Sequence, residues 1–310
     1  MRERGKHRLV SIHPGLRLSP LDASGHAQHY LAYRLSVVQR YLALRLSIEE
    51  AQTPGLALSI PQEMSDSAIF AARFRCKIAR MNKQVLLDSR IETLLDRLYR
   101  LSSAQEEEMM SYFSARAAAG DIDWNAFDDR ANQFLSDKLV ALDREKAEFC
   151  YQVCRSLRAK RVVEAGTSFG VSTLFLAAAV RDNLLADGGE GIVIGTEFEP
   201  EKVKAARASF AEAGVTDLID LREGDLRETL ADVRAPIDFM LIDIWTPMAR
   251  PALELIAPSL RAGAVIISDN TAQFRDAYRD YFAFVNDPAN GLTTITLPFE
   301  GGLEFTVRCA

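Results

Sequence analysis

From residue 161 to about residue 286, apolar runs and helical runs take turns along the chain, and few folds accept that rhythm. "RVVEAG" is followed by a helical stretch over 171–183, "GIVIGTEFE" by one over 200–213, and "IDLREG" by a short one over 226–232. "IDFMLIDIW" then precedes a helical stretch over 248–261, and "GAVIISDN" precedes one over 273–286. Short apolar runs spaced by amphipathic helices predict an α/β fold, a mostly parallel sheet wrapped by helices on both faces, with ligands above the carboxyl ends of its strands. "TTITLPFEGGLEFTVRC" breaks the rhythm with two alternating runs around Gly301 and Gly302 and reads as an antiparallel C-terminal hairpin at the sheet edge.

The residues before this core read differently. From Ser103 a capping box with Glu106 opens a helix, and "WNAFDDRANQFLSDKLVALDREKAEFCYQVCRSL" continues in helical period to about residue 157. Residues 81–150 therefore read as a helical cap and 151–310 as the core domain. Residues 1–80 are turn-rich around one basic amphipathic helix, with Leu31, Leu35, Val38, Leu42 and Leu46 on a stripe and Arg34, Arg40 and Arg45 elsewhere. Docking or dimer formation suits this helix better than a membrane surface or nucleic acid. The segment is expected to be a dispensable, partly disordered extension, since "MNKQVLLDSR" would make a natural start at Met81.

Charge sharpens the division. Residues 1–80 hold 12 Lys and Arg against 6 Asp and Glu, whereas the remainder holds 25 against 37. A net −12 without a basic patch argues against a nucleic-acid partner. No apolar run approaches the roughly 18–20 residues of a membrane helix, and the Arg-rich start lacks a secretory apolar stretch, so the expectation is a cytoplasmic protein with no membrane partner. Cys76, Cys150, Cys154 and Cys309 stand at spacings that match no zinc or redox motif and read as free, buried thiols.

Gly166-Thr167-Ser168-Phe169-Gly170 matches the GxSxG elbow of a nucleophilic serine, but also a glycine loop around a cofactor. All four histidines, His7, His13, His26 and His29, precede residue 30, so a serine nucleophile would have to borrow its base from the extension. That disfavours a hydrolase. At the strand ends, Glu164 and Gly166 close the first run and Glu197 the second. Glycines let a nucleoside approach the backbone, and a carboxylate at the end of the next strand can accept ribose hydroxyl protons. The GxGxxG spacing of a pyrophosphate site is missing, which disfavours NAD and FAD. Asp225 is placed either to meet an adenine amino group or to cap a helix. Asp243 and the pair Asp269-Asn270 end the fourth and fifth runs, an oxygen-only donor set suited to Mg²⁺ or another divalent cation, although "SDN" after a strand is also a common turn.

In order and spacing, "VVEAGTSFGVST", "GTEFEP", "REGD", "IDFMLIDIW" and "VIISDN" resemble the class I S-adenosylmethionine (SAM)-dependent O-methyltransferases, specifically the metal-dependent catechol and caffeoyl-CoA type with its bacterial relatives. The resemblance covers roughly residues 130–310 and implies a Rossmann-like methyltransferase fold. It implies that Gly166, Ser168 and Ser172 lie along the methionine part of SAM with Glu164 supporting the loop. Glu197 would hold the ribose, Phe198 would flank the adenine, Asp225 and Leu226 would line its far side, and Leu142 would fall on a segment that closes over the cofactor. Asp243, Asp269 and Asn270 would ligate the divalent ion, which binds a small hydroxylated acceptor such as an aromatic diol. Ser168 is then a loop residue and never attacks. A homodimer is the expectation from the family.

One position departs from the family. A lysine general base usually follows the first metal aspartate by three residues, and here Thr246 stands there, with no lysine anywhere after Lys204. Ile244 replaces a polar residue beside the same aspartate, and Trp245 reads either as a wall of the acceptor pocket or as a core residue. Two other functions stay open on these grounds: a SAM-binding protein with little turnover, acting in regulation or assembly, and a metal-independent methyltransferase on another acceptor.

Overall fold

The computed structural model describes residues 85–86, 88–123, 128–234 and 236–309. The predicted extension, its basic helix, Met81 and Cys76 lie outside these residues. The chain divides into two compact units, one of residues 1–62 and 114–121 and one of residues 63–113 and 122–310. In the first, the described residues 114–121 end a helix, with Asp121 N donating to Arg116 O at 2.9 Å and the Arg116 guanidinium donating to the Asp121 carbonyl.

Helix α1 (Ser89–Ala118) starts well before the predicted capping box. Its cap is Asp88, whose Oδ1 accepts from Arg90 N at 3.0 Å and from Ile91 N at 3.3 Å, so Ser103 and Glu106 lie in mid-helix. Ile91, Leu94, Leu95 and Leu98 repeat at helical spacing and are buried. The single helix read through to residue 157 is two helices, α2 (Asp129–Leu135) and α3 (Arg144–Leu157). The chain leaves the helix between them because Leu139 and Leu142 insert into the core, where Leu139 N finds Gln105 Oε1 at 2.8 Å.

The core follows the predicted rhythm: β1 (Arg161–Ala165), α4 (Val171–Asp187), β2 (Ile192–Glu197), α5 (Pro200–Ala213), β3 (Ile219–Glu223), α6 (Leu226–Thr229), β4 (Ile237–Ile242), α7 (Thr246–Ile256), β5 (Leu260–Asp269), α8 (Arg279–Val285), β6 (Leu292–Leu297) and β7 (Leu303–Arg308). The seven-stranded sheet has the order β3-β2-β1-β4-β5-β7-β6. Strands β1 to β5 pair in parallel, β7 runs antiparallel to β5, and β6 pairs antiparallel on β7, so the hairpin stands at the edge as read.

Consecutive strand residues serve opposite faces, which is why the runs are apolar without a break. Val162, Phe239, Leu241, Val265 and Ile267 join one buried cluster with residues of α1, α3, α4 and α5, while Val163, Met240, Ile242 and Ile266 join another with residues of α6, α7 and α8. Cys150 and Cys154 are buried free thiols on one face of α3, and Cys309 is free and half-buried.

Two helices are shorter than the pattern suggests. Helix α7 ends at Ile256, ahead of Pro258, and Leu260 already belongs to β5. Helix α8 begins only at Arg279, because Ala272 N and Gln273 N donate to Gly301 O at 3.0 and 2.8 Å and so are diverted from a helical ladder. Among the described residues no helix is long and apolar enough to cross a membrane.

Candidate active site

The strand order turns back on itself between β1 and β4, which opens a crevice above the carboxyl ends of the parallel strands. Glu164, Glu197, Asp243 and Asp269 all stand at or next to those ends.

Between β1 and α4 the loop presses on its neighbours. Gly166 N and Thr167 N both donate to Thr196 O, at 3.3 and 3.1 Å. Gly166 has φ +95°, and a Cβ there would stand 2.1 Å from the Asp243 carbonyl oxygen, so both backbone angle and space require glycine. Ser168 follows with φ 49°, a left-handed conformation that is costly for a side-chain-bearing residue and tends to occur at functional sites.

Beneath this loop Glu164 is completely buried. Its Oε2 accepts from Thr167 Oγ1 at 2.9 Å and from Thr173 Oγ1, and Ser172 adds a further hydrogen bond. Burial pushes the Glu164 carboxyl up, against the pull of those bonds. Its Oε1 and the Ser168 hydroxyl are buried without a hydrogen-bond partner. Such orphaned groups fit a ligand that brings an ammonium and further polar atoms. Glu197 ties the loop to β2, accepting from Ser168 N at 2.7 Å on Oε2 and from Phe198 N and Glu199 N at 2.8 and 2.9 Å on Oε1. A carboxylate has about four acceptor sites, so about one is left for a ligand hydroxyl.

The other predicted cofactor residues have separate settings. Asp225 caps α6, accepting from Arg227 N at 2.9 Å and from the Arg227 guanidinium, which is the capping alternative left open by the sequence. Leu226 is buried among residues of α6 and α7, and Phe198 is exposed. Leu142 is buried, and its carbonyl accepts from the Tyr99 hydroxyl at 3.0 Å.

Asp243 is fixed one step past β4 by its N–H, which donates to Ala165 O at 3.0 Å. Loss of water and the nearby charge of Asp269 push its carboxyl well above the usual carboxylate range. Asn270 adopts φ 56°, and its Nδ2 donates to Asp269 Oδ2 at 2.8 Å. Gly301, in the β6–β7 turn, lies so close that a Cβ would meet Asn270 Oδ1 at 2.2 Å. Thr246 opens α7, and Trp245 before it is half-buried.

A residue that sequence reasoning missed completes the cluster. Lys146, on the first turn of α3, is only 2% exposed, and its Nζ lies 2.6 Å from Asp269 Oδ1, 3.2 Å from Asp143 Oδ2 and 3.5 Å from Asn270 Oδ1. Arg144 anchors this end of α3 to α1 through Asp96 at 2.7 Å and through Glu92. The sequence carries a faint signal: the buried stripe of α3 is Lys146, Ala147, Cys150, Tyr151 and Cys154, with a lysine among small and apolar residues.

A family profile described as "Methyltransferase domain" matches residues 163–271. The catechol O-methyltransferase of Mycobacterium tuberculosis strain H37Rv is 29% identical over 132 residues, 42% of this chain and 57% of that protein. A protein of Mycobacterium sp. strain KMS named as an O-methyltransferase is 32% identical over 161 residues, 46% of this chain and 69% of its own length. The chain belongs to the class I SAM-dependent O-methyltransferases. The fold of this chain agrees with that of an SAH-bound methyltransferase from Podospora anserina, at a TM-score of 0.55 and 16% identity over 82% of this chain and all of the other. The chain spans about half the length of the curated relatives it matches first, 57% and 48% of two of them.

In this chain Asp243, Asp269 and Asn270 offer hard oxygens from adjacent strand ends. The carboxyl groups of Asp143, Asp243 and Asp269 outnumber the single ammonium beside them, and oxygen donors of this kind suit a divalent cation. Among the described residues no group of three or more His, Cys, Asp or Glu is arranged to hold a metal.

Proposed function

We propose that the protein transfers a methyl group from SAM to a hydroxyl of a small aromatic diol, with help from Mg²⁺ or another divalent ion. The observation that supports this most is the meeting of two oxygen-rich features at one crevice: the partnerless oxygens of Glu164 and Ser168, and the oxygen set of Asp243, Asp269 and Asn270. When bound, SAM supplies the reactive methyl and the cation stabilises the ionised acceptor oxygen, whose free phenol pKa is about 10. The protein's own task is placement. Thr167, Ser172 and Thr173 hold Glu164, Glu197 holds the loop backbone, and the Ala165 carbonyl fixes Asp243 beside that loop. The low-dielectric setting strengthens each of these charges toward a bound ligand.

Calorimetric titration of SAM, followed by catechol with and without Mg²⁺, tests this reading. Catechol binding that needs both SAM and Mg²⁺ is expected; tight SAM binding with no metal-linked catechol signal would remove the diol and the ion from the proposal. Thr246 favours a second reading, a SAM-binding protein with little turnover, since that position carries no base. Under that reading SAM binds, and no diol is methylated at any Mg²⁺ concentration.

Glu197→Ala is expected to weaken SAM about tenfold to a hundredfold, the worth of a charge-assisted hydrogen bond together with the loop contact it organises. An unchanged SAM affinity by calorimetry would take the ribose role away from this residue. The same proposal places the enzyme in the cytoplasm as a homodimer with a dispensable extension. A chain starting at Met81 is expected to bind SAM like the full chain and to sediment as a dimer.

A further inference from the structure

We propose that Lys146 is the resident cation of the Asp243, Asp269 and Asn270 site, and that a divalent ion binds there only by taking the Asp269 and Asn270 oxygens from its ammonium. This inference rests on the reading of those three residues as ligands of a divalent ion. Four observations carry it. The Lys146 ammonium contacts two of the three donors directly, Asp269 Oδ1 at 2.6 Å and Asn270 Oδ1 at 3.5 Å. It is 2% exposed, so water does little to screen it from a second cation. Its helix is held in place by Arg144, which bonds Asp96 and Glu92 on α1, so the lysine stem has one point of entry to the site. A third partner, Asp143 at 3.2 Å, is 62% exposed and belongs to none of the strands.

That last contact gives the ammonium somewhere to go. Asp143 stands three residues before Lys146 at the start of the same helix and retains its charge for the amine when Asp269 and Asn270 turn to an ion. Without an ion, the ammonium satisfies oxygens that would otherwise be buried, charged and unpaired. With an ion, it remains nearby as a like charge. A fixed positive charge among the ligands therefore holds the site in shape and weakens its grip on the metal, which favours an ion that exchanges over one that stays.

The test is a titration of Mn²⁺ into the full-length protein in the presence of SAM, read by loss of the free-ion electron paramagnetic resonance signal. Lys146→Met is expected to bind Mn²⁺ at least tenfold more tightly than the parent, and Lys146→Arg, which keeps the charge, to stay within a fewfold of it. Should Lys146→Met not fold, Lys146→Gln removes the charge at nearly the same length and is read the same way. Equal or weaker Mn²⁺ affinity in the neutral variant, with binding still abolished by Asp243→Ala, overturns the role of Lys146 and leaves the metal site standing. No Mn²⁺ binding by parent or variant overturns both. The melting temperature of ion-free Lys146→Met is a second readout: it is expected to fall and to be restored by Mn²⁺, a recovery that a merely structural lysine would not show.

Discussion

Asp243→Ala is expected to lower turnover on a diol by about a thousandfold or more while SAM affinity stays within about threefold of the parent. The carboxylate is the one charged donor of the proposed ion site that Lys146 does not occupy, since the ammonium is committed to Asp269, Asn270 and Asp143. Its removal leaves an ion with a single carboxylate already shared with an amine. The cofactor side loses nothing comparable, because the backbone of residue 243, rather than its side chain, meets Ala165 and Gly166. Asp243 and Asp269 also repel each other, so the melting temperature of the ion-free variant should match or exceed that of the parent, separating lost chemistry from a lost fold. Parallel turnover, calorimetry and thermal melts check all three. Parent-like turnover would remove the metal centre from the proposal.

Gly166→Ala should do the opposite, destroying the cofactor side first. A methyl group at this position would stand 2.1 Å from a backbone oxygen, and φ is +95°. The obstacle is main chain of an interior strand end and cannot swing aside as a flexible side chain would. Strain and overpacking together are expected to cost about 3 kcal/mol or more, and whatever folds should bind SAM at least a hundredfold more weakly. The measurement pairs chemical denaturation with SAM titration. A stable variant with parent affinity would mean that the loop sits away from Asp243 in solution.

The central strands and their acids were legible because β1, β2, β4 and β5 carry runs of Val, Ile, Leu, Phe or Met with an abrupt polar stop at or near the carboxyl end. That pattern alone puts Glu164, Glu197, Asp243 and Asp269 at or next to the carboxyl ends of their strands. Helix limits were less legible. Ser103 and Glu106 satisfy a capping pattern but are overruled by the stripe from Ile91 to Leu98, and residues 271–278 have helical composition but give their first N–H groups to Gly301. Lys146 was invisible for a different reason. Its meaning arises where the buried face of α3 meets the end of β5, a contact across 123 residues of chain that no local pattern encodes.

The order of the last strands bears on how the molecule is made. β7 lies between β5 and β6, both of which precede it in the chain, and Asp269 pairs in register with Leu303. A ribosome delivers residues 303–308 after everything they must separate. Until then the edge of β5, whose end carries Asp269, stays open for about two to seven seconds at roughly 5–20 residues per second, and that of β6 for about a second or less. The corner of the sheet that holds Asp269 is thus completed only after β5 and β6 have both been made, and a chain cut short before Leu303 would carry two bare strands and a strong tendency to aggregate.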